Sequence, residues 1–271
     1  AGDKRSSLIL HTVTTPLYFS SSKLYTQEFL QVIRRHLTPD GIYVTWLDSR
    51  VGDKGVDIIL GTLQQSFDRC ATAYVESKYL LLLCGQEPLQ FRAQALERIP
   101  AVISNYFWKK GFDPAMFRYQ LLTTDSFSLI GNGRLSLNRL DHPALEFEMA
   151  QLREDGLPAF LQRLLADMDA ADIAAAMGPD HFDETELLLH TELMLGNAPF
   201  TRRWRRLIRR EDETYQQRYL ATGDRFYRTY LEQSDSTLTR YRYATFLRRT
   251  ARYRQAIFYY RQILELDPDY K

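Results

Sequence analysis

The chain has 271 residues, 45% of them hydrophobic and 25% charged. That balance belongs to a globular protein and excludes a wholly disordered or collagen-like chain. The formal net charge of +1 excludes a whole-protein basic field for nucleic acid.

At about 150 residues per domain, the length predicts one large domain or two ordinary ones. The sequence holds no run of about 18 apolar residues, so no membrane segment is expected. Cys70 and Cys84 are too few for a disulfide framework or a cysteine-based zinc site. They predict small core thiols in a reducing compartment, which places the chain in the cytoplasm. Strand-like residues begin almost at once after Ala1, which suggests a fragment of a longer parent.

Residues 7–10 form a short apolar run and predict a buried strand. Residues 26–36 follow with Phe29, Leu30 and Ile33 at helical spacing and Thr26 as N-cap. Pro39-Asp40-Gly41 reads as a turn that stops this helix. Residues 42–46, Ile-Tyr-Val-Thr-Trp, have strand composition. Residues 55–67 are helical again, with Val56, Ile59, Leu60, Leu63 and Phe67 on one face. Residues 70–76 and 79–84 read as two strands close in sequence. Strand and helix alternate here, which predicts a parallel sheet with helices on its faces and an antiparallel hairpin at one edge.

Residues 99–110 and 114–123 look helical, 126–138 irregular, and 144–148 a short strand or extended segment. From Gly156 onward the chain reads as helix, at 157–168, 170–177, 184–195, 202–221, 224–233, 237–249 and 253–266. Breakers fall at Gly178-Pro179, Gly196, Pro199 and Gly223. The change of periodicity sets a domain boundary near residue 151. The arginines between Arg202 and Arg210 are followed at once by Glu211, Asp212 and Glu213 and read as a solvated helix face, with no nucleic-acid role.

Residues 237–270 resemble one tetratricopeptide (TPR) repeat. Counting back from Pro268, Ala244 and Ala256 fall on its two small positions and Tyr260 on its aromatic one, while Arg240 and Tyr243 stand where Trp and Leu are usual. A single repeat must stack on further helices. The resemblance implies either a cap on its neighbours or a surface for a protein partner.

Ligands of a parallel α/β sheet bind outside the carboxyl ends of its strands. Two loops qualify. One is the hydroxyl-rich stretch from His11 to Tyr25, long enough to suspect function. The other is Leu47-Asp48-Ser49-Arg50. The run Ser22-Lys-Leu-Tyr-Thr-Gln-Glu-Phe29, then Arg34-Arg-His-Leu-Thr-Pro-Asp-Gly41, then Tyr43-Val-Thr-Trp46, resembles the spermidine synthase-like proteins, which share the class I S-adenosylmethionine (SAM) methyltransferase fold. Asp141-His-Pro-Ala-Leu-Glu-Phe147 is similar to a segment of the larger, fused members.

The resemblance covers roughly residues 7–150. It implies strands four to seven of a seven-stranded Rossmann-like sheet, lacking its first strands and their glycine-rich loop. The fold class expected is therefore α/β followed by all-α: residues 1–150 as a partial methyltransferase-fold sheet, and 151–271 as a helical TPR-like region. Such a partial sheet leaves apolar surface uncovered where its missing strands would pair.

The activity implied is aminopropyl transfer to a small amine, with decarboxylated SAM or SAM held only where an upstream half is present; this chain alone binds no cofactor. His11 and Asp48 are the candidate catalytic residues. Thr12, Thr14, Thr15, Tyr18, Tyr25 and Trp46 are the candidate substrate contacts. His11 and Thr15 stand where the family carries acids, which anchor a cationic amine and take its proton. Some larger relatives carry hydrophobic N-terminal segments, so a longer parent is compatible with a membrane tether. No metal spacing links His142, His181 and His190, and no nucleophile elbow accompanies Ser20, Ser21 and Ser22.

Overall fold

The computed structural model describes residues 4–12, 20–76, 79–90, 98–109, 119–131, 136–149, 160, 163–164, 170–177, 213–233 and 235–270. The chain divides into two compact units, residues 1–91 with 120–178 and residues 92–119 with 179–271. The boundary read near residue 151 falls inside the first unit.

The first unit is built on a five-stranded mixed sheet. Its strands are β1 (Ser6–His11), β2 (Leu37–Asp48), β3 (Arg69–Glu76), β4 (Tyr79–Gly85) and β5 (Leu121–Thr123), in the order β1-β2-β4-β3-β5. β1 and β2 run parallel, joined through helix α1 (Gln27–His36), and all other pairs are antiparallel. Helix α2 (Gly52–Gln64) joins β2 to the β3–β4 hairpin.

Thr26 caps α1 by accepting a hydrogen bond from the Phe29 amide. The helix stops at His36, before Pro39, but Pro39-Asp40-Gly41 does not turn the chain away. It is absorbed in β2, where the register against β1 jumps from Leu37 to Ile42. The triplet is an irregularity in a strand, since Pro donates no ladder hydrogen bond.

Three local readings are corrected. Residues 121–123 are a strand and not a helix end, because Thr72 and Ala73 of β3 offer them an edge to pair with. Residues 144–149 form helix α4 (Ala144–Met149), which starts directly after Pro143 and buries Leu145 beside α2; Pro suits a helix start. β1 is a strand as expected, but it is not buried: Leu8 is 56% and Leu10 60% exposed. Among the described strands β1 is an edge strand, pairing with β2 alone, and Leu8 and Leu10 project together onto its exposed face.

Cys70 and Cys84 are directly opposed across β3 and β4, and their sulfurs are bonded. This corrects the expectation of free core thiols and removes the ground for inferring a reducing compartment from them. Neighbourhood across a hairpin is set by register, which the spacing of two cysteines does not reveal. Thiol titration of the denatured, unreduced chain is expected to find no free thiol; two reactive thiols would contradict this pairing. No helix among the described residues is long and apolar enough to cross a membrane.

The second unit is helical. It contains α3 (Ala101–Lys109), α6 (Glu213–Gln233), α7 (Thr237–Arg249) and α8 (Tyr253–Leu266); α5 (Ala170–Met177) belongs to the first unit. The helices expected at 202–221 and 224–233 are one continuous helix from Glu213 onward, passing through Gly223. The helices expected at 184–195 and over 202–212 lie outside the described residues. α6, α7 and α8 pack in succession, with Ala244 and Ala256 buried. Tyr227 stacks on Tyr243, and Arg252 forms an ion pair with Asp224 at 2.6 Å.

α7 ends in a left-handed turn. The Arg252 amide donates to the Leu247 carbonyl and the Ala251 amide to that of Arg248, with Ala251 at φ 60°. Glycine is the residue this position favours, because a Cβ crowds the backbone there. Ala251→Gly is therefore expected to raise the denaturation midpoint, by about 1 kcal/mol of stability. A lowered midpoint would overturn this account of the turn.

Candidate functional site

His11 is the last residue of β1 and lies opposite Thr45 of β2; Ile9 lies opposite Tyr43. Registered neighbours share a face of the sheet, so His11, Tyr43 and Thr45 meet on one side. His11 Nδ1 lies 3.0 Å from Tyr43 Oη and 3.2 Å from Thr45 Oγ1. The rings of Tyr25 and Phe29 close around the imidazole, at centroid distances of 5.6 and 5.8 Å. His11 is buried, and its Nε2 has no hydrogen-bond partner among the described residues.

Burial disfavours the imidazolium and holds the His11 pKa below its usual value. Burial also raises the Tyr25 phenol to about 12, with the Thr45 hydrogen bond opposing and the Asp48 charge adding to the rise. Tyr43 is raised in the same way by burial. The pocket of hydroxyls and rings is thus neutral at pH 7.

The pH dependence follows in sign. A histidine with a depressed folded pKa binds fewer protons folded than unfolded, so its stabilising contribution is complete above about pH 6.5 and is lost as pH falls towards the folded value. Denaturation midpoints of the wild type are expected to fall between pH 7 and pH 5, and the His11→Gln variant to show a shallower fall. Equal slopes would exclude His11 as their source.

Asp48 ends β2 and is fully buried, yet its carboxylate is committed. Arg50 donates Nε to Oδ1 at 2.9 Å and Nη2 to Oδ2 at 2.6 Å, and the Arg50 amide adds a bond of 3.0 Å. Arg50 Nη2 also donates to Tyr79 Oη, and the guanidinium sits over that ring. Alternation along β2 sets Thr45 and Asp48 on opposite faces, so His11 and Asp48, expected side by side at neighbouring strand ends, do not face each other. Trp46 shares the Asp48 face, edge-on to Tyr79 at 5.2 Å. Tyr25 Oη donates to the Trp46 carbonyl.

The other expected contacts divide. Tyr25 belongs to the His11 cluster. Thr12 is exposed just beyond the strand. Thr14, Thr15 and Tyr18 lie outside the described residues.

Sequence reading missed Phe29, Tyr43, Thr45, Arg50 and Tyr79 as members of these clusters. Strand alternation was a usable signal for Tyr43 and Thr45, since residues two apart share a face. Nothing in the sequence signalled Asn138. It is fully buried, its Nδ2 donates to the Ser22 carbonyl at 2.8 Å, and its Oδ1 accepts from the Leu145 amide. Its own carbonyl accepts from the Gln27 amide, and its amide donates to Thr62 Oγ1. Asn138 thereby ties the turn carrying Tyr25 to α1, α2 and α4.

Gly131, first of the sole Gly-x-Gly, follows a short 3-10 turn and not a strand, and its amide already donates to Asp57 Oδ1. Among the described residues no group of three or more His, Cys, Asp or Glu could hold a metal ion. No protein-family model matches the chain, and no curated protein matches it.

Proposed function

We propose that this chain is the acceptor-side half of a spermidine synthase-like transferase, a partial Rossmann-like module in which His11 takes the proton of a small amine. The observation that carries the reading is His11 itself. It is a buried imidazole, held neutral, at the carboxyl end of a strand in a parallel pair, with one ring nitrogen lacking a partner among the described residues. Ligands of α/β sheets bind at such strand ends. The parallel β1–β2 pair followed by the antiparallel β3–β4 hairpin also agrees with strands four to seven of the resembling fold.

The chemistry follows from the tautomer. When Nδ1–H donates to Thr45 or Tyr43, the lone pair stays on Nε2. The nitrogen of the acceptor loses its proton to Nε2, and His11 becomes an imidazolium within a ring of hydroxyls. Asp48, spent on Arg50, positions that loop and offers no bare carboxylate to anchor a polycation. The nucleotide part of the donor needs a glycine-rich half that this sequence does not hold.

Calorimetry tests the reading on a polypeptide joining this chain to such a half, titrated with decarboxylated SAM and with SAM. Heat is expected with one of them; silence with both defeats the proposal. In an active protein, His11→Gln is expected to lower kcat by about 10²- to 10⁴-fold, the usual worth of a general base.

A second reading is favoured by one observation: the only buried carboxylate at the described strand ends is neutralised by Arg50. In that reading the sheet is structural, and the TPR-like helices bind a protein partner. A pull-down with and without residues 157–271 separates the two, since equal recovery excludes the helices as the binding element.

A further inference from the structure

Helix α8 buries one side against α7 through Ala256 and Ile263. It carries a second apolar stripe that is largely exposed among the described residues. Tyr253, Ile257, Tyr260 and Leu264 recur at intervals of four, three and four, the spacing of a helix–helix seam. Tyr253 is 60%, Ile257 49% and Leu264 52% exposed. Tyr260 is part-exposed and borders a ring cluster with Tyr241 and Tyr270.

The charges along α8 are placed against its own dipole. Exposed Arg254 lies in its first turn and exposed Glu265 in its last, with no acid in the first turn and no base in the last. Asp267 and Asp269, also exposed, extend the acidic end. A helix alone prefers acids at its start and bases at its end, so this arrangement is unfavourable for an isolated α8 at each end. It becomes favourable against a helix of the same charge pattern running the other way.

We propose that a second copy of this chain covers the stripe, the two α8 helices packing antiparallel about a two-fold axis. Such an axis passes between Ile257 and Tyr260. It sets Tyr253 of one copy against Leu264 of the other, and Ile257 against Tyr260. Arg254 of each copy then comes level with Ile263 of the other, within about one helical turn of Glu265 and of Arg261, and Glu265 completes an opposite pair at each end. A parallel pairing would set like charges together. The interface is self-complementary, as a two-fold requires. A helix of 14 residues is only about 21 Å long, so the association is weak and reversible.

Sedimentation velocity of the full chain over a range of concentrations tests this, with circular dichroism as the folding control. The wild type is expected to pass from monomer to dimer. Ile257→Asp with Leu264→Asp is expected to raise the dissociation constant at least about tenfold, which is 1.4 kcal/mol.

Two exposed charge reversals keep the test sound should that variant unfold. Arg254→Glu alone and Glu265→Arg alone each weaken self-association, because each sets like charges together twice. An equimolar mixture of the two is expected to restore dimers, since both 254–265 pairs across the axis are again opposite. A wild type that stays monomeric at every concentration, or a mixture that fails to re-form dimers, would overturn the proposal and assign the stripe to a different partner.

Discussion

Asn138→Ala is expected to lower the stability of the first unit by roughly 2–5 kcal/mol, because two buried backbone groups lose their partner at once. The Asn138 amide donates to the Ser22 carbonyl and accepts from the Leu145 amide, and Asn138 is fully buried. Alanine leaves a carbonyl and an N–H in a space too dry to solvate them. Each such orphan costs about 1–3 kcal/mol.

Asn138→Asp separates the two contributions. The carboxylate still accepts from Leu145, but it can no longer donate, and it sets negative charge against the Ser22 carbonyl. It is expected to be no milder than alanine. Urea denaturation of the three proteins measures the effect, and a change under about 0.5 kcal/mol for alanine would remove Asn138 as a structural tie. The consequence reaches the site: the Ser22 turn leads directly to Tyr25, so loosening it also loosens the ring that packs on His11. The pH dependence ascribed to His11 is expected to flatten in the alanine variant for that reason.

Gly223→Ala is expected to destabilise the second unit by about 1–3 kcal/mol, the range for forcing extra volume into a packed site. Helix propensity alone gives the opposite sign, since alanine in a helix interior is favoured over glycine by about 1 kcal/mol. Gly223 lies within α6, yet a Cβ there would run into Phe246 Cζ and come within 3 Å of two further ring atoms. The ring cannot retreat easily: Phe246 is buried, packs on Tyr227 and carries the Arg252 guanidinium at 5.2 Å.

The size of the neighbour therefore decides the sign. In the background of Phe246→Leu the same Gly223→Ala change is expected to become neutral or stabilising. Thermal denaturation of the four proteins of that cycle tests it. If Gly223→Ala stabilises the wild-type background, the close approach of Phe246 is not a constraint.

These cases show how far the sequence was legible. Thr26 as an N-cap, α7 at 237–249 and α8 at 253–266 were readable, because capping chemistry and 3.6-residue periodicity are local. Gly223 was read as a breaker because its local cost is visible, while the Phe246 ring that requires it lies 23 residues further on. Residues 121–123 were read as helix because nothing local shows that the edge of β3 is there to pair with them. Cys70 and Cys84 were read as separate thiols because hairpin register, not spacing, brings them together. The candidate site behaved likewise. The strand-end positions of His11 and Asp48 follow from local pattern, but their partners Thr45, Tyr43 and Arg50 do not.

What the sequence by itself determined is the set of short-range features: an α/β stretch followed by helices, and the positions of α1, α2, α7, α8 and the β3–β4 hairpin. The tertiary structure decided which face each residue occupies and whom it meets there. It pairs Asp48, a candidate catalytic residue, with Arg50, leaves His11 Nε2 without a hydrogen-bond partner among the described residues, and makes Asn138 a tie between four segments. The physical reason is that hydrogen bonds, burial and disulfide pairing depend on neighbours distant in the chain, whereas propensity and periodicity depend only on those nearby.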